Sequence, residues 1–279
     1  VTCHPYHNMK TDSDLSILVL SSDTYQPILK AYDFYFKKHW ADCPFKAYTV
    51  SNHNKFESDS IECLVTGIDW DENANHFKPM VLHALNEIKT KYVLFMVEDQ
   101  ILVKDVITDN FHQAIEYMDE NDITKLRCLS MPEPDEELTT EKGIINNKYF
   151  GLISKDNMYR NSLQAAIWNR ENLKELLNSY SEPFSGWVLE STDSFREYSK
   201  KWNYVACRHG KGGDLLTRDL FEGQEDSPLL QYVELVRWGV YDRIYIDFFR
   251  EKFSSDGFSV DTPEYERFGA GKPKEWFPE

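Results

Sequence analysis

Residues 92–100 have the sequence YVLFMVEDQ, in which six apolar residues are followed directly by two acids and an amide. A continuous apolar run of this length is typical of a strand buried on both faces of a parallel sheet. Residues 15–20 (LSILVL) form a similar run that stops at Ser21-Ser22-Asp23. Because open α/β sheets bind ligands at the carboxyl ends of their strands, the two stretches together predict such a sheet with a polar cleft at one edge.

Helix and strand patterns alternate around these two strands. Pro27 begins a helical pattern that extends to Lys38, and residues 77–88 form a second amphipathic pattern. Residues 45–50 (FKAYTV) and 61–65 have the composition of short strands. The succession predicts an α/β fold with a Rossmann-like, mostly parallel sheet flanked by helices. The polar residues expected at the cleft are Ser21, Asp23, Ser51, Asn52, Glu98, Asp99 and Gln100.

The second half of the chain predicts a C-terminal helical elaboration. Helical patterns cover residues 170–177, 190–200 and 232–249, and a loop with Pro183 and Gly186 separates the first two. The sequence has no internal repeat and no stretch of linker composition, so we predict one domain over residues 1–279. Its expected parts are a ligand-binding half at about 12–130, a second half at about 131–253 and a tail at 254–279.

The charge balance excludes several classes of partner. Lys and Arg total 31 against 47 Asp and Glu, which gives a formal net charge of −16. Such a chain repels polyanions at long range, so nucleic acids and anionic membrane surfaces are poor partners. A small phosphate-bearing ligand remains compatible with the sequence because a pocket needs only a few local cations, backbone N–H groups or a metal ion.

Cysteine usage and hydropathy predict a cytoplasmic protein. The five cysteines are scattered and form no C-x-x-C pair, so neither a disulfide framework nor a zinc site is indicated. No apolar run approaches the roughly 20 residues of a transmembrane helix, and residues 1–10 lack a signal-peptide core. The sequence also lacks the glycine motifs of dinucleotide-binding enzymes, P-loop NTPases and serine hydrolases.

Several longer stretches resemble a known family. The sequence is similar to the bacterial GT-A-type glycosyltransferases that build capsular and lipopolysaccharide sugars, over about residues 21–190. The matching stretches are SSDTY (21–25), HWADCPFKAYTVSN (39–52), KYVLFMVEDQILV (91–103), KLRCLSMP (125–132), YRNSLQAAIWNRENLKELL (159–177) and FSGWVLE (184–190). The pairing of SLQAAIWNR with FSGWVLE is the most specific of them.

The resemblance implies a GT-A-like fold with a nucleotide-sugar-binding N-terminal half. It places Ser21, Asp23, Ser51 and Asn52 in the nucleotide pocket, and Glu98 and Asp99 at the Asp-x-Asp motif that binds a metal–diphosphate in metal-dependent members. This sequence departs from that motif, because Gln100 stands where a second acid is expected and an amide oxygen is a poorer ligand for a hard cation. A divalent cation (Mn²⁺ or Mg²⁺) at Asp99 therefore stays an open expectation.

The resemblance also implies an acceptor-binding second half. Transfer with inversion needs a carboxylate that removes the proton of the acceptor hydroxyl, and Glu190 at the start of a helix is the candidate. The alternative is a helix N-terminal glutamate that complements the helix dipole. Trp187 would stack on a sugar ring. Further acceptor-side candidates are Arg160, Gln164 and Asn169.

A basic, glycine-rich stretch, RHGKGG (208–213), is the third candidate element. Arg208 and Lys211 could bind the leaving diphosphate, because glycines permit close backbone approach and the two cations complement the phosphates. A solvated surface loop is the alternative. The residues alone do not decide between the two.

The combined expectation is a glycosyltransferase that moves a sugar from a nucleotide-sugar donor to a hydroxyl of a bacterial surface glycan, often lipid-linked. Such an enzyme would work in the cytoplasm, peripheral to the inner membrane. Two alternatives stay open: a non-catalytic carbohydrate- or nucleotide-sugar-binding protein on the same fold, and a sugar-nucleotidyl transferase. Against the latter, SSDTYQP after the first strand has neither glycine nor a basic residue.

Overall fold

An eight-stranded sheet organises the computed structural model, which describes residues 14–69, 71, 75–130, 133–209, 226–234, 236–237, 240–241, 251 and 253–258. The strands before the midpoint of the chain are β1 (Leu15–Leu20), β2 (Lys46–Ser51), β3 (Ile61–Val65), β4 (Tyr92–Val97), β5 (Gln100–Leu102) and β6 (Ile123–Arg127). Those after it are β7 (Phe150–Leu152), β8 (Ala166–Asn169), β9 (Asn203–Cys207), β10 (Tyr232–Glu234), β11 (Val236–Arg237) and β12 (Val240–Tyr241).

The large sheet has the order β3-β2-β1-β4-β8-β6-β9-β7. Strands β1 to β4 are mutually parallel, as are β6 and β9. Strand β8 runs antiparallel to both of its neighbours, and β7 is antiparallel to β9. The prediction of a mostly parallel α/β sheet is confirmed. Strands from both halves of the chain belong to this one sheet.

Six helices cover the sheet in the described part of the chain: α1 (Gln26–His39), α2 (Phe77–Glu87), α3 (Thr108–Glu120), α4 (Arg170–Asn178), α5 (Gly186–Ser191) and α6 (Asp193–Ser199). Successive residues of β1 point to opposite faces, so that Ile17 belongs to the core with α1 and α3 while Leu18 belongs to the core with α2 and α4. Both faces are thus apolar, which explains the continuous apolar runs of β1 and β4. None of the helices in the described part of the chain has both the length and the apolar composition of a membrane-spanning segment.

The helical prediction for 232–249 is wrong over its described residues, and the one for 190–200 holds with a break at Thr192. The described residues of 232–241 form short strands, because β10 pairs antiparallel with β5 and β11 pairs with β12. The stretch 190–200 is two helices rather than one, since Thr192 has an extended backbone (φ −94°, ψ 129°) between α5 and α6. Glu190 consequently lies in the last turn of α5 and not at a helix start, so the helix-dipole alternative does not apply to it.

Candidate functional site

The strand order places a crevice between the carboxyl ends of β1 and β4. The chain passes from β1 to β2 on one side, whereas β4 lies on the other side of β1. The loops after β1 and β4 therefore diverge, which is the topological switch point at which open α/β sheets bind ligands. A cavity of about 270 Å³ opens there. Its lining residues are Leu20, Ser21, Ser22, Tyr25, His76, Phe77, Met80, Val97, Glu98, Asp99 and Gly186.

Two serines that line this cavity have unused hydroxyl groups. Ser21 and Ser22 are 5% and 4% exposed, and neither Oγ atom has a hydrogen-bond partner among the described residues. A buried hydroxyl without a partner costs free energy, so such groups are rare in folded proteins unless a ligand or a water satisfies them. Their position at the end of β1 makes them candidates for hydrogen bonds to a bound polar ligand.

The acid turn, Glu98–Asp99, connects β4 to β5 on the other wall of the cavity. The Glu98 backbone N–H donates to the carbonyl of Leu20 at 3.1 Å, which fixes the turn against β1. Burial raises the pKa of Glu98 to about 8. Burial, together with the charges of Glu98 and Asp99, raises the pKa of the Tyr25 phenol to about 12. Because its pKa lies near 8, the Glu98 carboxyl is held protonated near neutral pH. A cation bound in the cavity would favour the ionised carboxylate instead.

The acid turn offers two of the oxygen-bearing side chains that a divalent cation would need. Gln100, the third residue of the stretch, is 1% exposed and does not line the cavity. Its Oε1 accepts from the N–H of Val97 at 3.2 Å, and its Nε2 donates to the Tyr232 phenol at 3.2 Å. Within the described residues, no three His, Cys, Asp or Glu side chains come together as a metal site.

Asp23 and Asn52 join the loops after β1 and β2 to each other. The Asp23 carboxylate accepts from the backbone N–H groups of Asn52 (2.9 Å), His53 (3.1 Å) and Asn54 (3.1 Å). In return, Oδ1 of Asn52 accepts from the Asp23 N–H at 3.1 Å. Ser51, also named by the sequence, shares a hydrogen bond with the Cys63 thiol. These three residues hold the loops beside the cavity and do not line it.

Replacing Asp23 by alanine should lower the free energy of unfolding by about 1–3 kcal/mol, because three backbone N–H groups lose their acceptor. Urea denaturation measures the change. Asp69→Ala is the matched control, since the Asp69 carboxylate is exposed and pairs with the exposed His53 ring rather than with buried backbone. Equal stability of the two variants would contradict the role assigned to Asp23.

Glu190 lies one helical turn from the cavity wall. Gly186, the first residue of α5, lines the cavity, and Leu163 packs against it. The Glu190 carboxylate accepts hydrogen bonds from the Leu163 N–H and the Ser162 hydroxyl. Burial raises its pKa, although these bonds and the charge of Lys125 act in the opposite direction. Trp187, next to Gly186, is 65% exposed.

The other acceptor-side candidates have internal partners. The guanidinium of Arg160 is buried and donates to the hydroxyl of Ser199 at 2.9 Å and to the carbonyl of Ser154 at 2.8 Å. Asn169 caps α4 by accepting from the Asn172 N–H at 3.1 Å. Gln164 donates to Glu234 at 3.1 Å. Arg160 and Asn169 thus fix local backbone, whereas Gln164 links the segment before β8 to the end of β10.

Arg208 lies at the end of β9, three strands from β4 and therefore roughly 14 Å across the sheet. Its guanidinium donates to the carbonyls of Phe150 at 3.0 Å and Glu136 at 3.1 Å. It does not line the cavity in the described structure. Lys211, the second cation of this stretch, falls outside the described residues.

Sequence reasoning missed one wall of the cavity and the strand behind the acid turn. Phe77 and Met80 form part of the wall, but the amphipathic pattern of α2 indicated only a core-facing helix. Tyr232 and Glu234 were included in a predicted helix. The apolar residues around them carried no signal of pairing with β5, which precedes them by about 130 residues.

No protein-family profile and no curated protein matches this sequence. Among solved structures, the chain is similar to S. aureus TarS 1–349, with 13% identity, a TM-score of 0.39 and coverage of 69% of this chain and 57% of that chain. It thus spans a little over half the length of that structure. An active-site mutant of LgtC matches with 11% identity and a TM-score of 0.47, covering 94% of this chain and 98% of that one.

A third similar structure is the mannosyltransferase PcManGT from Pyrobaculum calidifontis in complex with GDP-Man and Mn²⁺. Its identity to this chain is 10%, its TM-score is 0.39, and the match covers 70% of this chain and 56% of that one. At these identities and TM-scores, the three similarities do not establish an activity for this chain.

Proposed function

We propose that this chain transfers a sugar from a nucleotide-sugar donor to a hydroxyl group of a bacterial surface glycan. The observation that carries the proposal is the cavity at the β1–β4 switch point. Ser21 and Ser22, whose buried hydroxyls have no partner among the described residues, line it at one strand end, and the acid turn lines it at the other. Such a crevice is where α/β sheets bind phosphate-bearing ligands. The resemblance of residues 21–190 to GT-A-type enzymes supports the same activity.

The donor would lie across the carboxyl ends of β1 and β4. The serine hydroxyls would bind its polar groups, and Phe77 and Met80 supply apolar surface for a flat or apolar part of it. If a divalent cation (Mn²⁺ or Mg²⁺) accompanies the diphosphate, Glu98 and Asp99 are the carboxylates that would hold it. Its charge would lower the pKa of Glu98 and neutralise part of the diphosphate.

The acceptor would bind on the α5 side, where Trp187 offers an exposed ring for stacking on a sugar face. Glu190 would remove the proton of the acceptor hydroxyl as that oxygen attacks the anomeric carbon and the nucleoside diphosphate leaves with the electron pair of the broken bond. A raised carboxyl pKa favours this role, because a base works best when its pKa lies near the working pH.

Replacing Ser22 by alanine should weaken donor binding about fivefold to tenfold, the loss of one hydrogen bond of roughly 1 kcal/mol. Stability in urea should not fall, because the removed hydroxyl has no partner among the described residues. Isothermal titration with the donor measures the affinity. Thr49→Val serves as the contrast, since its buried hydroxyl donates to the carbonyl of Val19 at 2.9 Å and its loss should lower stability but not affinity.

Incubation with a panel of sugar nucleotides, with and without Mn²⁺ or Mg²⁺, tests the proposal directly. Hydrolysis or transfer of one donor, detected by release of its nucleoside diphosphate, supports the transferase. Absence of both binding and turnover with every donor would remove it. The panel includes donors with different bases and sugars.

A non-catalytic sugar-nucleotide-binding protein is the second candidate. The placement of Glu190 supports this alternative, because its carboxylate accepts from the Leu163 N–H and Glu190 does not line the cavity. Such a protein would bind a donor from the panel without releasing nucleoside diphosphate. Binding without turnover in the presence of a glycan acceptor would therefore decide for this alternative.

A further inference from the structure

A ring made of three hydrogen bonds and one strand pairing lies directly behind the acid turn. Gln100 donates from Nε2 to the Tyr232 phenol oxygen at 3.2 Å, and the phenol donates to Oε1 of Gln164. Gln164 donates in turn from Nε2 to Oε1 of Glu234 at 3.1 Å. Glu234 closes the ring because it lies opposite Gln100 in the β5–β10 ladder. The ring joins three parts of the chain that are far apart in sequence.

Tyr232 is the centre of this ring and has no hydrogen-bonding capacity to spare. Its oxygen also accepts from the backbone N–H of Ala165 at 3.3 Å. A phenol can donate one hydrogen bond and accept two, so all three are used. The side chain is 1% exposed, and water cannot easily replace any of these partners. A buried phenol whose hydrogen bonds are all made holds its partners in place rigidly.

The ring contacts both halves of the proposed site. On the donor side, Oε1 of Gln100 accepts from the N–H of Val97, the residue directly before the acid turn. On the acceptor side, Leu163 precedes Gln164 and donates its backbone N–H to the Glu190 carboxylate. A continuous path therefore runs from the acid turn through Gln100, Tyr232 and Gln164 to Glu190.

We infer that Tyr232 is a positioning residue that holds the acid turn and the segment bonded to Glu190 at a fixed separation. The inference rests on the proposed function, because the separation matters only if donor and acceptor meet between these two groups. Its physical basis is the steep dependence of group transfer on geometry, in which a misplacement of about 1 Å can cost about 100-fold in rate. Tyr232 itself touches neither substrate in this assignment.

The test is Tyr232→Phe, which keeps the ring and removes only the hydroxyl. We expect kcat to fall at least about tenfold while the KM of the donor stays within about threefold, because binding groups are retained and their alignment is lost. Tyr117→Phe is the matched control. Tyr117 lies on α3, remote from the site, where it is 2% exposed and donates to the carbonyl of Thr140 at 3.1 Å. The kcat of Tyr117→Phe should therefore equal that of the parent.

A double-mutant cycle with Glu190→Gln separates positioning from a general structural role. If Tyr232 acts by aligning Glu190 with the donor, Tyr232→Phe should cost less than about threefold in kcat once Glu190 has been replaced. The same loss factor in both backgrounds would overturn the inference. So would a kcat of Tyr232→Phe within twofold of the parent.

Amide hydrogen exchange distinguishes a failure of the inference on Tyr232 from a failure of the proposed function, because the measurement needs no enzymatic activity. In Tyr232→Phe, exchange should become faster in residues 97–102 and 160–166 together, and Tyr117→Phe should leave both unchanged. If no donor is turned over by the parent, the transferase proposal fails. The link that Tyr232 makes between residues 97–102 and 160–166 is then judged on hydrogen exchange alone. Faster exchange in only one of these segments, or in neither, would overturn it.

Discussion

Replacing Glu190 by glutamine should lower kcat for sugar transfer by about 100-fold or more, the usual contribution of a general base. Glutamine has nearly the same shape, and its amide oxygen can still accept from the Leu163 N–H, as the carboxylate does. We therefore expect stability in urea and the dissociation constant of the donor to remain close to those of the parent. Single-turnover assays with saturating donor and acceptor measure the chemical step directly.

The control for this variant is Glu197→Gln on α6. Glu197 is a surface glutamate on α6 that pairs at 2.7 Å with Lys200, the residue directly after that helix. Its replacement removes an equal charge from the neighbourhood of α5 and should leave kcat unchanged. A Glu190→Gln enzyme that turns over within threefold of the parent would remove Glu190 from the mechanism, and the carboxylates of the acid turn would become the remaining candidates.

Replacing Glu98 by glutamine should stabilise the ligand-free protein at pH 8 and weaken the dependence of stability on pH. The pKa of Glu98 is about 8 in the folded chain, against 4.5 for an unperturbed carboxyl. Between these values the folded state keeps a proton that the unfolded state releases. Stability therefore falls as pH rises from about 4.5 to about 8, by up to about 1.4 kcal/mol per pH unit from this group.

Urea denaturation at pH 5.5, 7 and 8 measures the effect, with a chelator present so that no cation reaches the acid turn. The parent should lose stability across this series, and Glu98→Gln should lose less. Glu87→Gln on the exposed side of α2 is the matched control and should follow the parent. Parallel pH profiles for the parent and Glu98→Gln would show that burial does not hold Glu98 protonated.

The sequence predicts the first half of the fold well because local patterns determine it. The apolar runs of β1 and β4 are continuous since both faces of the sheet are covered, and the helical spacing of α1 and α2 follows from the same layered packing. The strand ends then locate the cavity walls at Ser21 and at the acid turn. No structural knowledge beyond the rule for open sheets is needed for that step.

Long-range pairing explains where the predictions stop. Residues 232–234 form a strand only because β5 offers them a partner, and nothing in their own apolar spacing distinguishes this strand from a helix. The role of Asp23 depends on the loop after β2, and that of Gln100 on strand β10, because these segments supply their hydrogen-bond partners. The sequence can identify a polar residue at a strand end. Whether that side chain bonds to another part of the protein or is left for a ligand depends on how the chain packs.

The unused hydroxyls of Ser21 and Ser22 have one more consequence. The protein without its ligand carries two buried hydroxyls that have no partner among the described residues, so any molecule that satisfies them adds to the stability of the folded state. The melting temperature of the protein then reports whether the cavity is occupied. Small molecules can be ranked by the melting temperature that each confers, before the reaction that follows binding is known.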